Sequence, residues 1–323
     1  MRKRGRLNRF ELVVTAALMA LVFVFSTGDV VNAASKKMEF SHVMSFGSLG
    51  DGPGQFKYVE DFAFSIDGQL LVTDAAHAYV QVFDKTTGKY ITRFGGKGDD
   101  DQHLDKPEGI SVAPNGDIYV ADYNTGDVKI YDRNFKWKNT FSEYGSDPGQ
   151  NIKSEFTDIY EGKYYMPEAG NHRVSVWNLD GTFQFIFGGK GSELGQMNNP
   201  EAAKFNSLGE VVVSDLKNNR IQIFTKDGKF LRAFGKEGSG PGELKANAGV
   251  GIDKNDNIYV GEIGNNRIQV FDKDGAALAM WGQAGSNVGE FGNIHGVAVD
   301  KSTGWVYVAD TQNNRVQVFK PKE

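Results

Sequence analysis

The sequence predicts an all-β fold: a six-bladed β-propeller of four-stranded antiparallel blades, closed by an N-terminal outer strand. Three observations carry this. A strand ending in an acidic residue recurs six times at near-constant spacing. A second strand of alternating apolar residues follows each one. The chain also ends one strand short of six full blades, with a spare strand near its start.

The acid-terminated strands are Leu71-Val72-Thr73-Asp74, Tyr119-Val120-Ala121-Asp122, Tyr165-Met166-Pro167-Glu168, Val212-Val213-Ser214-Asp215, Tyr259-Val260-Gly261-Glu262 and Tyr307-Val308-Ala309-Asp310. Their acidic residues lie 48, 46, 47, 47 and 48 positions apart. The next strand opens with Asn-Asn/His-Arg, as in Asn171-His172-Arg173, Asn218-Asn219-Arg220, Asn265-Asn266-Arg267 and Asn313-Asn314-Arg315. Blades one and two depart from it, with Tyr79 and Asp127 at the Arg position. Asp-Gly pairs such as Asp180-Gly181, Asp227-Gly228 and Asp274-Gly275 then mark tight turns, because both residue types tolerate positive φ. A further strand ends in an aromatic-Gly pair (Phe94-Gly95, Phe187-Gly188, Trp281-Gly282), and a Gly-rich connector leads to an inner strand such as Pro107–Val112. Four short strands per period make one blade.

The spare strand is Phe40–Phe46, expected beside Val316–Phe319 as the outer strand of blade six. Such pairing removes the open edge of the ring. The Asp/Glu-Asn-Arg constellation reads as scaffold that locks loops. The connector endings Gly54-Gln55-Phe56, Gly195-Gln196-Met197, Gly242-Glu243-Leu244 and Gly289-Glu290-Phe291 also read as structural, each tucking its apolar residue between blades.

Ahead of the propeller, residues 1–34 read as a signal peptide. Arg2, Lys3, Arg4, Arg6 and Arg9 precede the 14-residue apolar run Leu12–Phe25, and small residues lead to a cleavage point near Ala33/Ala34. The run is short for a spanning helix, which needs roughly 20 residues. The expectation is an exported protein, periplasmic or extracellular, with residues 35–323 forming the propeller as a monomeric ring. With no Cys there are no disulfides and no lipid-anchored Cys, so the core alone must hold the fold. Residues 35–323 carry 31 basic and 39 acidic side chains, a net charge of −8. That is a poor electrostatic footprint for nucleic acid.

In a propeller the starts of the inner strands line one mouth of the central channel. Reading one position per blade gives Glu60, Glu108, Thr157 with Asp158, Glu201, Ala248 and His295. Glu60, Glu108, Asp158, Glu201 and His295 are therefore the candidate ligand-binding residues. Carboxylates with a histidine suit a divalent cation, Ca²⁺ or Zn²⁺, with Glu108, Glu201 and His295 as candidate ligands. They can also raise one another's pKa. A plainer role stands beside this one: each Glu caps backbone amides of the turn next to it. Asp99-Asp100-Asp101 with Asp105 is a second acidic cluster, without EF-hand spacing, and reads as a solvated loop.

The repeat pattern resembles the NHL-repeat family across essentially all of residues 35–323, most specifically in blades three to six, and looks most like exported bacterial members. More distantly it resembles the propellers of peptidyl-hydroxyglycine amidating lyase, streptogramin lyase and lactonases. The amidating-lyase resemblance implies three His on a zinc ion with a catalytic Tyr and Arg. Of these, His295 matches a zinc His, while Glu108 and Glu201 stand where the other His would be. No Arg follows the acidic residues, and Tyr123 is the one aromatic candidate. The leading expectation is thus a binding module offering its loop face and channel to a protein, glycan or small polar ligand. The alternative is a metal-dependent lyase or hydrolase acting in the channel.

Overall fold

The computed structural model describes residues 38–98 and 100–322. The signal-peptide segment and Asp99 lie outside these residues. Six four-stranded antiparallel sheets form six blades. In blade one the strands are Val59–Phe64, Gln69–Asp74, Tyr79–Asp84 and Tyr90–Gly95, from the axis outwards. The other inner strands are Pro107–Val112, Asp158–Tyr160, Pro200–Phe205, Asn247–Ile252 and Ile294–Val299. Each inner strand contacts the next, and the sixth returns to the first, which closes the ring. Among the described residues no helix is long and apolar enough to cross a membrane.

Closure occurs as the sequence predicts. Phe40–Phe46 pairs antiparallel with Arg315–Pro321, from Phe40 opposite Pro321 to Phe46 opposite Val316. Blade six therefore takes its outer strand from the start of the propeller.

Burial follows from strand alternation. Each sheet turns one set of apolar side chains to either neighbour, so six cores form, one between each pair of adjoining blades. Phe56, Met197, Leu244 and Phe291, the apolar residues that end the connectors, are fully buried.

The recurring polar motif is scaffold. In blade four, Arg220 Nε donates to Asp215 Oδ2 at 2.8 Å. Its other nitrogens donate to the carbonyls of Ser192, Glu193 and Gln196 in the connector entering that blade. Asn218 Nδ2 bridges Asp215 and the Gly191 carbonyl. Gln222 Nε2 reaches both Asp215 and the Gln196 carbonyl. Arg173, Arg267 and Arg315 pair with Glu168, Glu262 and Asp310 in the same way. The second residue of the motif adopts positive φ (His172 57°, Asn219 52°, Asn266 49°, Asn314 53°). Asn tolerates this region because its short side chain hydrogen-bonds locally. Asn219 Oδ1 accepts from the Ala246 amide and Asn266 Oδ1 from the Asn293 amide, tying each turn to the connector of the next blade.

Blade one reaches the same end with different residues. His77 Nδ1 lies 2.6 Å from Asp74 Oδ2, and Nε2 lies 3.0 Å from Asp51 Oδ1. Histidine here does what arginine does elsewhere. Its ring stacks on Tyr79, and the Arg93 guanidinium lies over the Tyr79 ring at 4.5 Å.

Candidate functional site

The inner strands approach one another closely, and glycine permits it. A Cβ on Gly109 would stand 2.1 Å from the Glu155 carbonyl oxygen, and one on Gly296 would stand 2.1 Å from that of Glu60. At this spacing the second residues of the inner segments crowd one mouth of the channel.

Four carboxyls meet there. Glu60 is 1% exposed, Glu108 and Glu155 4%, and Glu201 7%. His295 joins them, with Nδ1 2.8 Å from Glu60 Oε2. That contact engages Glu60 Oε2 and leaves Glu60 Oε1 without a partner among the described residues. Asn199 Nδ2 donates to Glu201 Oε1 at 2.9 Å. The Glu155 carboxyl hydrogen-bonds to both Glu108 and Glu201. Lys106 pairs with Glu108 and lies 3.7 Å above the Tyr123 ring. The Tyr58 ring meets His295 edge-on at 5.6 Å.

The structure thus brings together Glu60, Glu108, Glu201 and His295, and it corrects the fourth position. In blade three the matching residue is Glu155, not Asp158. Ser154 bridges Glu168 just as Val59 pairs with Asp74 and Pro107 with Asp122, which places Glu155 level with Glu60 and Glu108. The first hairpin of blade three is one residue shorter than that of blade one, and its first apolar pair, Ile159-Tyr160, comes late, which draws the sequence reading onto Thr157 and Asp158. Asp158 lies towards the other end of the channel, where its oxygens accept the Ile159 and Phe205 amides at 2.8 Å. Thr157 is buried beside it, 2.6 Å from the Ser111 hydroxyl. Ala248 adds only a methyl group to the ring.

Lys106 and Tyr123 come from connectors rather than inner strands. Tyr123 follows the acid of blade two, and its amide donates to the Lys106 carbonyl at 2.9 Å. Lys106 was legible only as the residue two before Glu108, and nothing in the spacing shows that it folds over Tyr123.

Expected metal geometry is absent: among the described residues no three His, Asp or Glu side chains are arranged to hold one ion. His295 is engaged by Glu60, and Glu108 by Lys106. Asp100 and Asp105 of the second acidic cluster are also occupied locally, by Gln102 and Asn124.

Burial, with charge crowding after it, sets the protonation of the mouth. Burial, with the Glu60 charge, pushes Glu108 up to about 8. Burial and the charges of Glu201 and Glu108 hold Glu155 well above the usual carboxyl range. Burial opposes the His295 imidazolium, but Glu60, Glu201 and Glu108 outweigh it and raise it to about 9. Burial and Glu60 push the Tyr58 phenol up to about 12, so it stays neutral. At neutral pH the mouth therefore holds neutral carboxyls beside ionised ones, with an imidazolium and the Lys106 ammonium among them.

Glu108 and His295 are raised from ordinary values of 4.5 and 6.5, so the folded state binds protons more tightly than the unfolded chain. Their stabilisation is full below those ordinary values and is lost as pH rises through about 8 and about 9. The melting temperature is expected to fall between pH 6 and pH 9, and Glu108→Gln is expected to flatten that decline. Thermal melts across this range check it; a decline equally steep in the variant counts against these protonation states.

Comparison with known proteins agrees with this architecture. The NHL repeat model matches residues 104–131 and 291–319, and a 6-bladed beta-propeller model matches residues 197–268. Protein brain tumor of Drosophila melanogaster is 26% identical over 155 residues, which is 47% of this chain and 14% of that protein. The chain thus matches only a small part of that relative's length. Among solved structures, a Bacteroides thetaiotaomicron protein of unknown function superposes with a TM-score of 0.68 at 16% identity, covering 88% of this chain and 76% of that one. Streptogramin B lyase gives 0.61 at 13% identity over 90% and 99% of the two chains. Virginiamycin B lyase of Staphylococcus aureus gives 0.60 at 14% over 88% and 99%. At these identities the likeness to the lyases is one of fold. Its repeats and its architecture together make this protein a six-bladed β-propeller carrying NHL repeats.

Proposed function

We propose that this chain is an exported binding module whose loop face seats a protein partner and whose acidic channel mouth takes a cationic group of that partner. The observation that carries the reading is the gathering of Glu60, Glu108, Glu155 and Glu201 at one mouth, where Glu60 is 1% exposed and its Oε1 has no partner among the described residues. A buried carboxylate oxygen without a hydrogen bond is costly. An incoming ammonium or guanidinium supplies the missing donor. Lys106 already shows how a cation fits there, held between Glu108 and the face of Tyr123.

The loop face supports the same reading. The connectors are fixed by the Arg-acid-Asn lattice, and binding residues concentrate on loops held by a rigid scaffold. Export rests on the basic, apolar and small-residue order of residues 1–34. Sequencing the mature N-terminus of secreted protein checks it, with a start near Ala34 expected.

The binding test uses immobilised propeller and an envelope fraction. Proteins held by the wild type are expected to be lost from Glu60→Gln/Glu201→Gln and displaced by a lysine-rich peptide, but not by a glutamate-rich one. Equal retention by the variant, or equal displacement by both peptides, contradicts the reading. Displacement by a neutral oligosaccharide would assign the mouth to a glycan instead.

A further inference from the structure

The opposite end of the channel is built differently. A cavity of about 440 Å³ opens between the C-terminal halves of the inner strands. That is within the range of roughly 300–1,000 Å³ filled by small-molecule sites. Phe64, Val112, Phe205, Ile252 and Val299 give it apolar walls, and two lysines face it, Lys204 and Lys301.

The polar groups decide the sign of its ligand. Both Asp158 oxygens are engaged by backbone amides, those of Ile159 and Phe205. Asp61 Oδ2 accepts the Ile110 amide and lies 3.3 Å from Lys204 Nζ. Lys204 Nζ also donates to the Thr157 carbonyl at 2.8 Å. An ammonium carries three donors, so one N–H of Lys204 remains. This side chain is only 15% exposed. Lys301 sits in the first hairpin of blade six, reaches the field of Asp158, and makes no hydrogen bond or ion pair with another described residue. The carboxylates of this end are thus turned into the wall, while its unused capacity is cationic N–H.

We propose that this cavity binds a small amphipathic carboxylate, with its apolar body against the Phe64, Val112 and Ile252 walls and its carboxylate between Lys204 and Lys301. The site is separate from the acidic mouth and does not depend on the reading of that mouth.

Calorimetric titration of the full propeller with phenylacetate, phenylacetamide and phenethylamine tests this. Phenylacetate is expected to bind one per chain, the amide at least about tenfold more weakly, and the amine not at all. Lys301→Ala, at an exposed position, is expected to weaken phenylacetate about tenfold while leaving the melt unchanged. Lys204→Met alone leaves Asp61 unpaired, so Lys204→Met/Asp61→Asn is the second variant; it is expected to fold and to lose binding. No phenylacetate binding at about 5 mM, equal binding of acid and amine, or wild-type affinity in both variants overturns the proposal.

Discussion

A chain lacking residues 38–46 is expected to melt at least ~10 °C below the chain that begins at Lys36, and over a broader transition. The deleted strand carries side chains of two separate cores. Phe40 stacks on Trp281 at 4.2 Å in the core between blades five and six. Val43, Met44 and Phe46 join the core between blades six and one, where Phe46 meets Phe83 at 4.9 Å. Each apolar side chain removed from such a core costs on the order of 1–3 kcal/mol. Deletion also bares the hydrogen-bonding edge of Arg315–Pro321, an invitation to aggregate. Phe40→Ala/Phe46→Ala separates packing from pairing: it keeps the backbone ladder and is expected to show a smaller fall. Circular-dichroism melts check both, and an unchanged melt after the deletion contradicts closure by this strand.

Arg267→Met is expected to destabilise the propeller by about 3–5 kcal/mol, because it leaves a buried carboxylate without its cation. Glu262 is fully buried and Arg267 is 8% exposed, less than its counterparts in blades three, four and six. Its Nε donates to Glu262 Oε1 at 2.6 Å, and its other nitrogens hold the carbonyls of Ser239, Gly240 and Glu243. The double variant Glu262→Gln/Arg267→Met removes the stranded charge and is expected to recover part of the loss. Denaturant unfolding of the single and double variants measures the coupling. A single variant within about 1 kcal/mol of wild type shows that the pair does not hold the connector.

These two predictions concern what was most legible in the sequence. Asp215 and Arg220 are five residues apart because they face each other across one hairpin, so their spacing reports a real register contact. The same hairpin recurs in every blade, which is why count, period and closure could be read directly. The degenerate blades were harder. His77 gave no hint that it replaces an arginine, because it stands two residues before the Arg position, which Tyr79 holds, and its second partner Asp51 is 26 residues away on a connector.

The mouth of the channel was legible only in part. Glu60, Glu108, Glu201 and His295 occupy equivalent positions and could be found as the polar residue at the start of each inner strand. Glu155 was missed because the first apolar pair of that inner segment is Ile159-Tyr160, which draws the reading onto Thr157 and Asp158. Lys106 and Tyr123 meet through the fold of a connector, which no periodicity encodes. The contact between carboxyls of different blades depends on the close approach at Gly109 and Gly296, again a three-dimensional fact.

Proton release on cation binding shows whether the mouth trades its protons for an incoming positive charge. If Glu108 and Glu155 share protons at neutral pH, a cation entering the mouth must drive ionisation of a carboxyl. Titration of the propeller with a tri-lysine peptide at pH 7, in buffers of different ionisation enthalpy, is expected to show release of about one proton per peptide bound. Glu108→Gln/Glu155→Gln is expected to abolish that release. Binding without buffer dependence, or identical release from the variant, would contradict an acidic mouth that exchanges its protons for a partner's positive charge.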